Sequence, residues 1–319
     1  MTAFPDARRA LPADATMSMF PLPDGWPMRV FDRPAASRAG SKARGSILWI
    51  GGRGDIIEKY LESLEEWHRL EWHVSAFDWR GQGGSGRLLA DPLVGHMGDF
   101  SQWIDDLAVF WADWTARTPG PHVIMGHSMG GHLVLRALLQ QRISPDATVL
   151  SAPMLGFSGG PLPQSWAGGF AALIARFAPE TKAWKQGEKP GAVDARRQFY
   201  LTHDADRYAD EIFWKTKDPA LTLGPASWAW VAAAYRSNAL FDTPGALEAL
   251  TDPILLVATE GDKLVDPAAI SRAAARMSNA ELLMFDKSVS HEVLREIDAV
   301  RDAGMNRIAD FLDRAAPAR

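Results

Sequence analysis

A Gly-x-Ser-x-Gly pattern at residues 126–130 constrains the fold of this chain more strongly than any other feature of its 319 residues. A short apolar run at 122–125, typical of a buried strand, precedes it, and residues 129–141 repeat apolar side chains at helical spacing. Where a strand turns so sharply into a helix, the central residue is strained and projects from the edge of the sheet. The flanking positions must be small, as both glycines are. The pattern predicts that Ser128 is a nucleophile, with a chance Gly-Ser-Gly turn as the alternative.

Strand and helix patterns alternate along most of the chain. Apolar runs predict strands at 17–20, 28–32, 46–50, 74–77, 122–125, 148–150, 254–258 and 281–285, and helical spacing predicts helices at 56–70, 100–114, 129–141, 267–276 and 293–314. This alternation predicts an α/β fold with a mostly parallel central sheet and helices on both faces. The stretch 154–245 is helical in character and lacks a good strand pattern. We therefore expect one core formed by 1–153 and 246–319, with an inserted helical cap at 154–245.

Charge and cysteine content exclude several classes of protein. The chain has 34 Lys and Arg against 39 Asp and Glu, a formal net charge of −5, which does not suggest the basic face of a nucleic-acid binder. The absence of cysteine excludes a disulfide scaffold, a thiolate zinc site and an iron–sulfur cluster, and it fits a reducing compartment. We expect no nucleic-acid partner, and the oligomeric state stays open.

Targeting signals are not expected either. The first 20 residues contain no apolar core of a signal peptide. No stretch reaches the roughly 18 apolar residues that a membrane-spanning helix needs. We expect a cytoplasmic protein, and we leave peripheral contact with the inner face of a membrane open.

A serine hydroxyl is a weak nucleophile and needs a base. Among the eight histidines, His291 follows the last predicted strand in a loop before the final helix. In a parallel sheet this loop lies at the carboxyl ends of the strands, the same edge as Ser128. The chain order serine, acid, histidine also fits a serine on a strand-to-helix turn. We predict that His291 is the base.

The acid that orients the histidine should follow a strand and lie between Ser128 and His291 in the chain. Asp262 meets both conditions, because it comes after the run 254–258 and directly after Gly261. Its position makes it the preferred candidate. The alternatives are Glu260 and Asp266 nearby, and Asp242 and Asp252 farther away.

An oxyanion hole requires two N–H donors aimed at the charge that develops during acyl transfer. The residue after the nucleophile, Met129, should supply one of them. The loop after the first central strand, residues 51–55, should supply the other, and the backbone N–H of Arg53 is our choice. The alternative is that the glycines of this loop only form a turn.

A second glycine-rich segment, residues 81–86, formally matches the Gly-x-Gly-x-x-Gly pattern of dinucleotide sites. Such a site requires the segment to open a helix directly. Here residues 87–92 follow, and Pro92 makes a helix there unfavourable. We expect no nucleotide site. Since the chain lacks the common metal-binding patterns, we also expect no metal and no cofactor.

The sequence resembles a known family. The strand, the GHSMGG segment at 126–131 with its helix, the later Gly-Asp pair and the late histidine resemble the α/β-hydrolase fold. Residues 78–92, Gly95-His96 and Trp103 to Leu107 resemble the lysophospholipase L2 and monoacylglycerol lipase branch, also labelled serine aminopeptidase S33-like. Two shorter segments, 52–54 and 58–60, are similar to the lysophospholipase L2 pattern. The likeness covers roughly 46–155 and 252–312, and Gly51-Gly52 replaces the His-Gly of many relatives.

The resemblance implies a Ser128, Asp262 and His291 triad with oxyanion donors at Arg53 and Met129. It implies hydrolysis of a carboxylic ester through an acyl-enzyme, on a single-chain lipid such as a lysophospholipid or monoacylglycerol. Two alternatives stay open. One is another reaction of the same fold, namely general ester hydrolysis, amide hydrolysis or acyl transfer. The other is a lipid-binding protein of this fold without catalysis.

Aromatic side chains are concentrated in the predicted cap, which holds 14 of the 31 Phe, Trp and Tyr residues. Large side chains are needed for the core of a small cap, which explains part of this excess. We expect others to face the cleft above Ser128 and to bind one acyl chain. The candidates are Phe157, Trp166, Phe170, Trp214 and Trp228.

Overall fold

Eight strands form one sheet in the computed structural model, which describes residues 8–36, 43–159, 163–184 and 194–318. They are β1 (Thr16–Pro21), β2 (Pro27–Arg33), β3 (Gly45–Ile50), β4 (Trp72–Phe77), β5 (His122–His127), β6 (Ala147–Ser151), β7 (Ile254–Thr259) and β8 (Ala280–Phe285). Their order across the sheet is β1-β2-β4-β3-β5-β6-β7-β8. The β1–β2 and β2–β4 pairs are antiparallel and the other five pairs are parallel, so the predicted mostly parallel sheet is confirmed.

Helices cover both faces of this sheet. The α-helices within the described ranges are α1 (Leu61–Arg69), α2 (Ser101–Arg117), α3 (Met129–Leu139), α4 (Gln164–Phe177), α5 (Ala195–Leu201), α6 (Ala205–Lys217), α7 (Trp228–Ala239), α8 (Pro267–Arg276) and α9 (Asp298–Ala315). Helices α2, α3 and α8 pack on one face, while α1 and α9 pack on the other. None of these helices is both long enough and apolar enough to cross a bilayer.

The central strands are apolar on both sides, as a sheet covered by two layers of helices requires. In β3, Ile47 and Trp49 enter the core beneath α1 and α9, and Leu48 and Ile50 enter the core beneath α2 and α3. All four side chains are almost completely buried. Because both faces of these strands are packed, the strands hold the loops at their carboxyl ends in defined positions.

Helices α4 to α7 lie between β6 and β7. Helices α4 and α7 pack directly against each other. No strand is formed by the residues described in this stretch, in keeping with the helical character that the sequence predicts for 154–245. Residues 160–162 and 185–193 of the predicted cap lie outside the described residues, and the bounds of the cap stay a prediction.

The predicted helix at 293–314 is wrong at its beginning. A short 3-10 helix (Val293–Arg295) comes first, and α9 begins only at Asp298. The chain is extended at Ile297, with ψ 150°. Between the two helices the buried carboxylate of Glu296 accepts hydrogen bonds from the backbone N–H groups of Ser290 (2.9 Å) and Ile297 (3.0 Å). These contacts, one of them to the loop that carries His291, break the helix. Apolar spacing reports only local periodicity, so it could not indicate them.

Candidate active site

Ser128 occupies the sharp turn between β5 and α3. Its backbone is in the left-handed region, with φ 52° and ψ −118°, a conformation that a residue with a side chain rarely adopts. The turn is held in place because the N–H of Ser128 donates to the carbonyl of Ser151 (2.9 Å) and its own carbonyl accepts from Met154 (3.0 Å). The predicted strand–turn–helix context of the serine is therefore present.

The two glycines of the pattern are required by close backbone contacts. A Cβ atom at Gly126 would lie 2.7 Å from the backbone nitrogen of Gly131. One at Gly130 would lie 2.4 Å from the carbonyl oxygen of Gly51, in the loop after β3. A side chain at Gly126 would force α3 away from β5, and one at Gly130 would force the loop after β3 away from α3.

His291 and Asp262 lie side by side at the same edge of the sheet. Nδ1 of His291 is 2.6 Å from Oδ2 of Asp262, and both side chains are buried. Oδ1 of Asp262 accepts the N–H groups of Leu264 (2.8 Å) and Val265 (3.0 Å), which fix the carboxylate plane. With Nδ1 bonded to the carboxylate, Nε2 is the nitrogen left to exchange a proton with a substrate or a serine.

The near alternatives to Asp262 occupy other positions. Asp266 is the N-cap of α8, where its carboxylate accepts the N–H of Ala268 (2.9 Å). Glu260 is exposed to solvent. Of the three, Asp262 is therefore the one that lies against His291.

Charge and burial act in opposite directions on this pair. Burial would lower the pKa of His291, but the carboxylates of Asp262, Glu292 and Asp55, with Asp262 foremost, together raise that pKa above its ordinary value. Burial would raise the pKa of Asp262, but the imidazole holds it below its usual range. His127, whose ring centre lies 4.8 Å from that of His291, has a pKa lowered to about 4 by burial and by His291. His127 is therefore neutral at pH 7 and does not compete for the proton.

The loop after β3 is bound on both sides of Arg53. The N–H of Gly52 donates to Oδ2 of Asp55 (2.7 Å), and the N–H of Gly54 donates to Oε1 of Gln82 (2.7 Å). A Cβ atom at Gly52 would lie 3.0 Å from Cβ of Ser128, so the loop passes directly beside the serine. The oxyanion roles of Arg53 and Met129 stay a prediction.

The sequence predicts a role only for the backbone of Arg53, but its side chain lines the space above Ser128. The guanidinium donates to the carbonyl of Gly224 and lies over the rings of Trp184 (5.3 Å) and Trp230 (5.6 Å). Arg53 thus connects the loop after β3 to the stretch between β6 and β7.

A large cavity, about 1470 Å³, opens above the predicted triad. Ser128 and His291 both line it, and so do Arg53 and Asp55. The cavity continues between α5, α6 and α7, so a molecule much larger than an acetyl ester fits inside it.

Of the five aromatic candidates for substrate contact, only Phe157 is among the described residues that line the cavity. Trp166 and Phe170 lie on α4 and are exposed, and Trp228 is in ring contact with Phe170. Trp214, on α6, is buried, and its indole N–H donates to the carbonyl of Arg8. These four do not line the cavity, because composition cannot tell which face of a helix turns toward it.

A buried ion-pair network beside the serine was not predicted. Nζ of Lys59 lies 2.5 Å from Oδ1 of Asp55 and 2.5 Å from Oε1 of Glu292, the residue after His291. Because Asp55 also accepts from Gly52, the network connects the loop after β3 with the loop of the histidine. The one signal in the sequence was the four-residue spacing of Asp55 and Lys59 after a predicted strand.

The segment 81–86 forms turns around a buried ion pair instead of opening a helix. The N–H of Gly84 donates to Oδ2 of Asp78 (2.8 Å), and Arg29 lies 2.6 Å from the same atom. A Cβ atom at Gly83 would lie 2.2 Å from that oxygen. These glycines are explained by their close approach to Asp78. Across the described ranges, no group of three His, Asp or Glu side chains is placed to hold a metal ion.

A known family and two proteins of known sequence are similar to this chain. Residues 41–298 match the sequence model of a hydrolase family described as "Serine aminopeptidase, S33". Lysophospholipase L2 of Escherichia coli (strain K12) is 31% identical over 328 aligned positions, which cover 95% of this chain and 93% of that protein. A probable lysophospholipase L2 of Haemophilus influenzae is 26% identical, with 86% of this chain and 85% of the relative covered.

Solved structures share the fold at lower identity. A soluble variant of monoglyceride lipase from Saccharomyces cerevisiae, in complex with a substrate analog, superimposes with a TM-score of 0.73 at 18% identity. It covers 98% of this chain and 99% of that one. A monoacylglycerol lipase from Paleococcus ferrophilus gives a TM-score of 0.66 at 18% identity, with 86% and 96% covered.

Proposed function

The chain belongs to the serine aminopeptidase S33 family of hydrolases, and we propose that this ester hydrolase cleaves lipids with a single acyl chain through an acyl-enzyme on Ser128. The substrate class is a lysophospholipid or a monoacylglycerol. The observation that carries the proposal is the cavity of about 1470 Å³, which has Ser128 and His291 in its lining and room for a long chain. The identity to the two lysophospholipase L2 relatives supports it.

The proposed reaction has two halves. In the first, Oγ of Ser128 attacks the ester carbonyl while Nε2 of His291 takes the hydroxyl proton, and Asp262 holds the imidazole in place. The N–H groups of Met129 and Arg53 stabilise the oxyanion, and the proton passes to the departing alcohol. In the second half, His291 activates water, which attacks the acyl carbon and releases the fatty acid and the free serine.

The apolar part of the cavity suits one acyl chain. We call it the apolar wall, and its residues come from the loops after β6 and β7, from α7 and from the segment before α7. They are Phe157, Leu223, Trp230, Val231, Leu264 and Val265. Each further methylene buried there should stabilise binding by about 0.8 kcal/mol at most, or up to about fourfold in affinity.

A lipid panel tests the substrate class. Rates on butyryl, octanoyl and palmitoyl esters below their aggregation limits should rise with chain length and then level off. A lysophospholipid should be cleaved faster than its diacyl form, because one wall accepts one chain. The Ser128→Ala variant is the background control. A preference for butyryl esters, or equal rates on one-chain and two-chain lipids, would leave a general carboxylesterase.

We also propose that α4 contacts a lipid surface. Four large apolar side chains at helical spacing lie on this helix and are 56–79% exposed, which we call the α4 stripe: Trp166, Phe170, Leu173 and Phe177. Exposed apolar patches of this kind mark interaction sites. The helix has no acidic residue and carries Arg176 in its last turn, so an anionic bilayer would not repel it.

A further inference from the structure

We propose that a second wall of the cavity, formed beside α5 and α6, binds the phosphodiester of a lysophospholipid head group. This inference rests on the proposed function and narrows it to phosphorylated lipids. We call the residues concerned the cationic wall. They are Lys59, Arg196, Arg197, Tyr200, Tyr208 and Lys215, all of which line the same cavity as Ser128.

The two walls differ because different elements supply them. The apolar wall comes from α7 and the loops around it, whereas α5, α6 and the 3-10 helix (Ile57–Tyr60) supply the cationic wall. An ester substrate has two unlike halves, an acyl chain and an alcohol. A cavity with one apolar and one charged wall matches those halves if the alcohol carries charge.

The charge of the cationic wall favours an anion. Lys59, Arg197 and Lys215 of the wall, together with Arg295 behind it, pair with the carboxylates of Asp55, Glu211 and Glu292. Among the described residues that line the cavity, five are cationic and three are acidic: Arg53, Lys59, Arg196, Arg197 and Lys215 against Asp55, Asp194 and Glu292. The buried Glu211 lies behind the wall, while Arg197 and Lys215 lie between it and the cavity. The excess of positive side chains in the described lining favours a phosphodiester, which carries one negative charge.

The position of the wall suits a group attached to the leaving alcohol. Nζ of Lys215 lies 3.2 Å from the carbonyl oxygen of Gly54, the residue after Arg53 in the predicted oxyanion loop. In a lysophospholipid only the glycerol separates the ester from the phosphate. With the ester carbonyl at Ser128, the phosphate is therefore held near the oxyanion loop, where the cationic wall begins.

Among the residues of the cationic wall, Arg197 is best suited to bind the phosphate. It is partly exposed to the cavity, and its Nη2 is 3.1 Å from Oε1 of Glu211, which orients the guanidinium. A planar guanidinium can donate two parallel N–H groups to a phosphodiester, which a neutral glycerol head group cannot match. Loss of Arg197 leaves Glu211 with three other cations, so the fold does not depend on this pair.

The test compares two substrates with the same acyl chain, lysophosphatidylglycerol and monoacylglycerol. In Arg197→Gln the ratio of kcat/KM for the phospholipid over the neutral lipid should fall about tenfold, through KM, as expected for one lost charge-assisted hydrogen bond. The control Arg142→Gln removes a cation at the opposite edge of the sheet, where it pairs with Asp105, and should keep the ratio. An unchanged ratio in Arg197→Gln would overturn the proposal.

A binding measurement separates this inference from the proposed function. Glycerophosphoglycerol should inhibit hydrolysis of p-nitrophenyl octanoate by the wild-type enzyme and inhibit Arg197→Gln about tenfold more weakly. Equal inhibition by inorganic phosphate would assign the wall to a free anion and overturn the head-group assignment. If the wild type cleaves neither lipid but shows the Arg197-dependent inhibition, the proposed lipid substrate is refuted and the cationic wall is supported.

Discussion

Asp262 and burial act in opposite directions on the proton of His291. The carboxylate, 2.6 Å from Nδ1, raises the pKa of the imidazole above its ordinary value of about 6.5 although burial would lower it. Only the neutral imidazole can accept the proton of Ser128. We therefore predict that kcat/KM falls with decreasing pH through a pKa above about 6.5.

A variant checks the pH profile, because Asp262→Asn removes the foremost of the charges that raise the pKa of His291. The acid limb should therefore move to lower pH in that variant, with much lower activity throughout. The measurement is kcat/KM for a short soluble ester between about pH 5 and pH 9, a range that brackets the titration of histidine. An acid limb in the wild type centred well below about pH 6.5 would contradict the raised pKa.

A second prediction concerns which acid orients the imidazole. Asp262→Asn should lower kcat by roughly four powers of ten, because the amide no longer fixes the correct tautomer. Asp266→Asn is the matched control. Asp266 caps α8, and asparagine caps a helix about as well as aspartate does, so kcat should stay within about twofold. Similar losses in both variants would show that neither carboxylate has a special role.

At the scale of single residues, the sequence could place Ser128, His291 and Asp262 because each follows a strand in a fixed order. The side-chain role of Arg53 and the pairing of Lys59 with Glu292 could not be foreseen. Both depend on contacts between residues more than 150 positions apart, Arg53 with Gly224 and Lys59 with Glu292. Local patterns contain no information on such contacts.

At the scale of elements, the α4 stripe leads to the third prediction. Fully burying a Leu or Phe side chain contributes about 1.5–3 kcal/mol. The double variant Leu173→Gln/Phe177→Gln should therefore bind anionic vesicles about tenfold more weakly, or worse, in a flotation assay. Leu70→Gln, on an exposed leucine just after α1, is the control and should bind like the wild type. Unchanged binding of the double variant would exclude α4 as the lipid contact.

Elements with one apolar face against the sheet were predicted within a few residues. The failures have physical causes. The last helix starts late because Glu296 is pulled into the core between the 3-10 helix and α9. Four of the five aromatic candidates do not line the cavity because α4 turns Trp166 and Phe170 outward and α6 buries Trp214 against the N-terminal segment. Helix orientation is set by tertiary packing, which periodicity does not specify.

At the scale of the whole molecule, four separate loops of the chain converge beside one cavity. The loop after β3 brings Arg53, the turn after β5 brings Ser128, and the loops after β7 and β8 bring Asp262 and His291. The helices α5, α6 and α7, between β6 and β7, supply much of the described lining above them. The central claim is that this arrangement activates Ser128 as the single nucleophile of the enzyme.

A fluorophosphonate label, followed by intact mass and peptide mapping, tests that claim most directly. The reagent phosphonylates a serine that an adjacent base has activated. We predict one adduct per chain in the wild type, on Ser128. Ser128→Ala should give no adduct and lose several powers of ten in kcat. An adduct on another serine, or an alanine variant that is still labelled and active, would contradict the account.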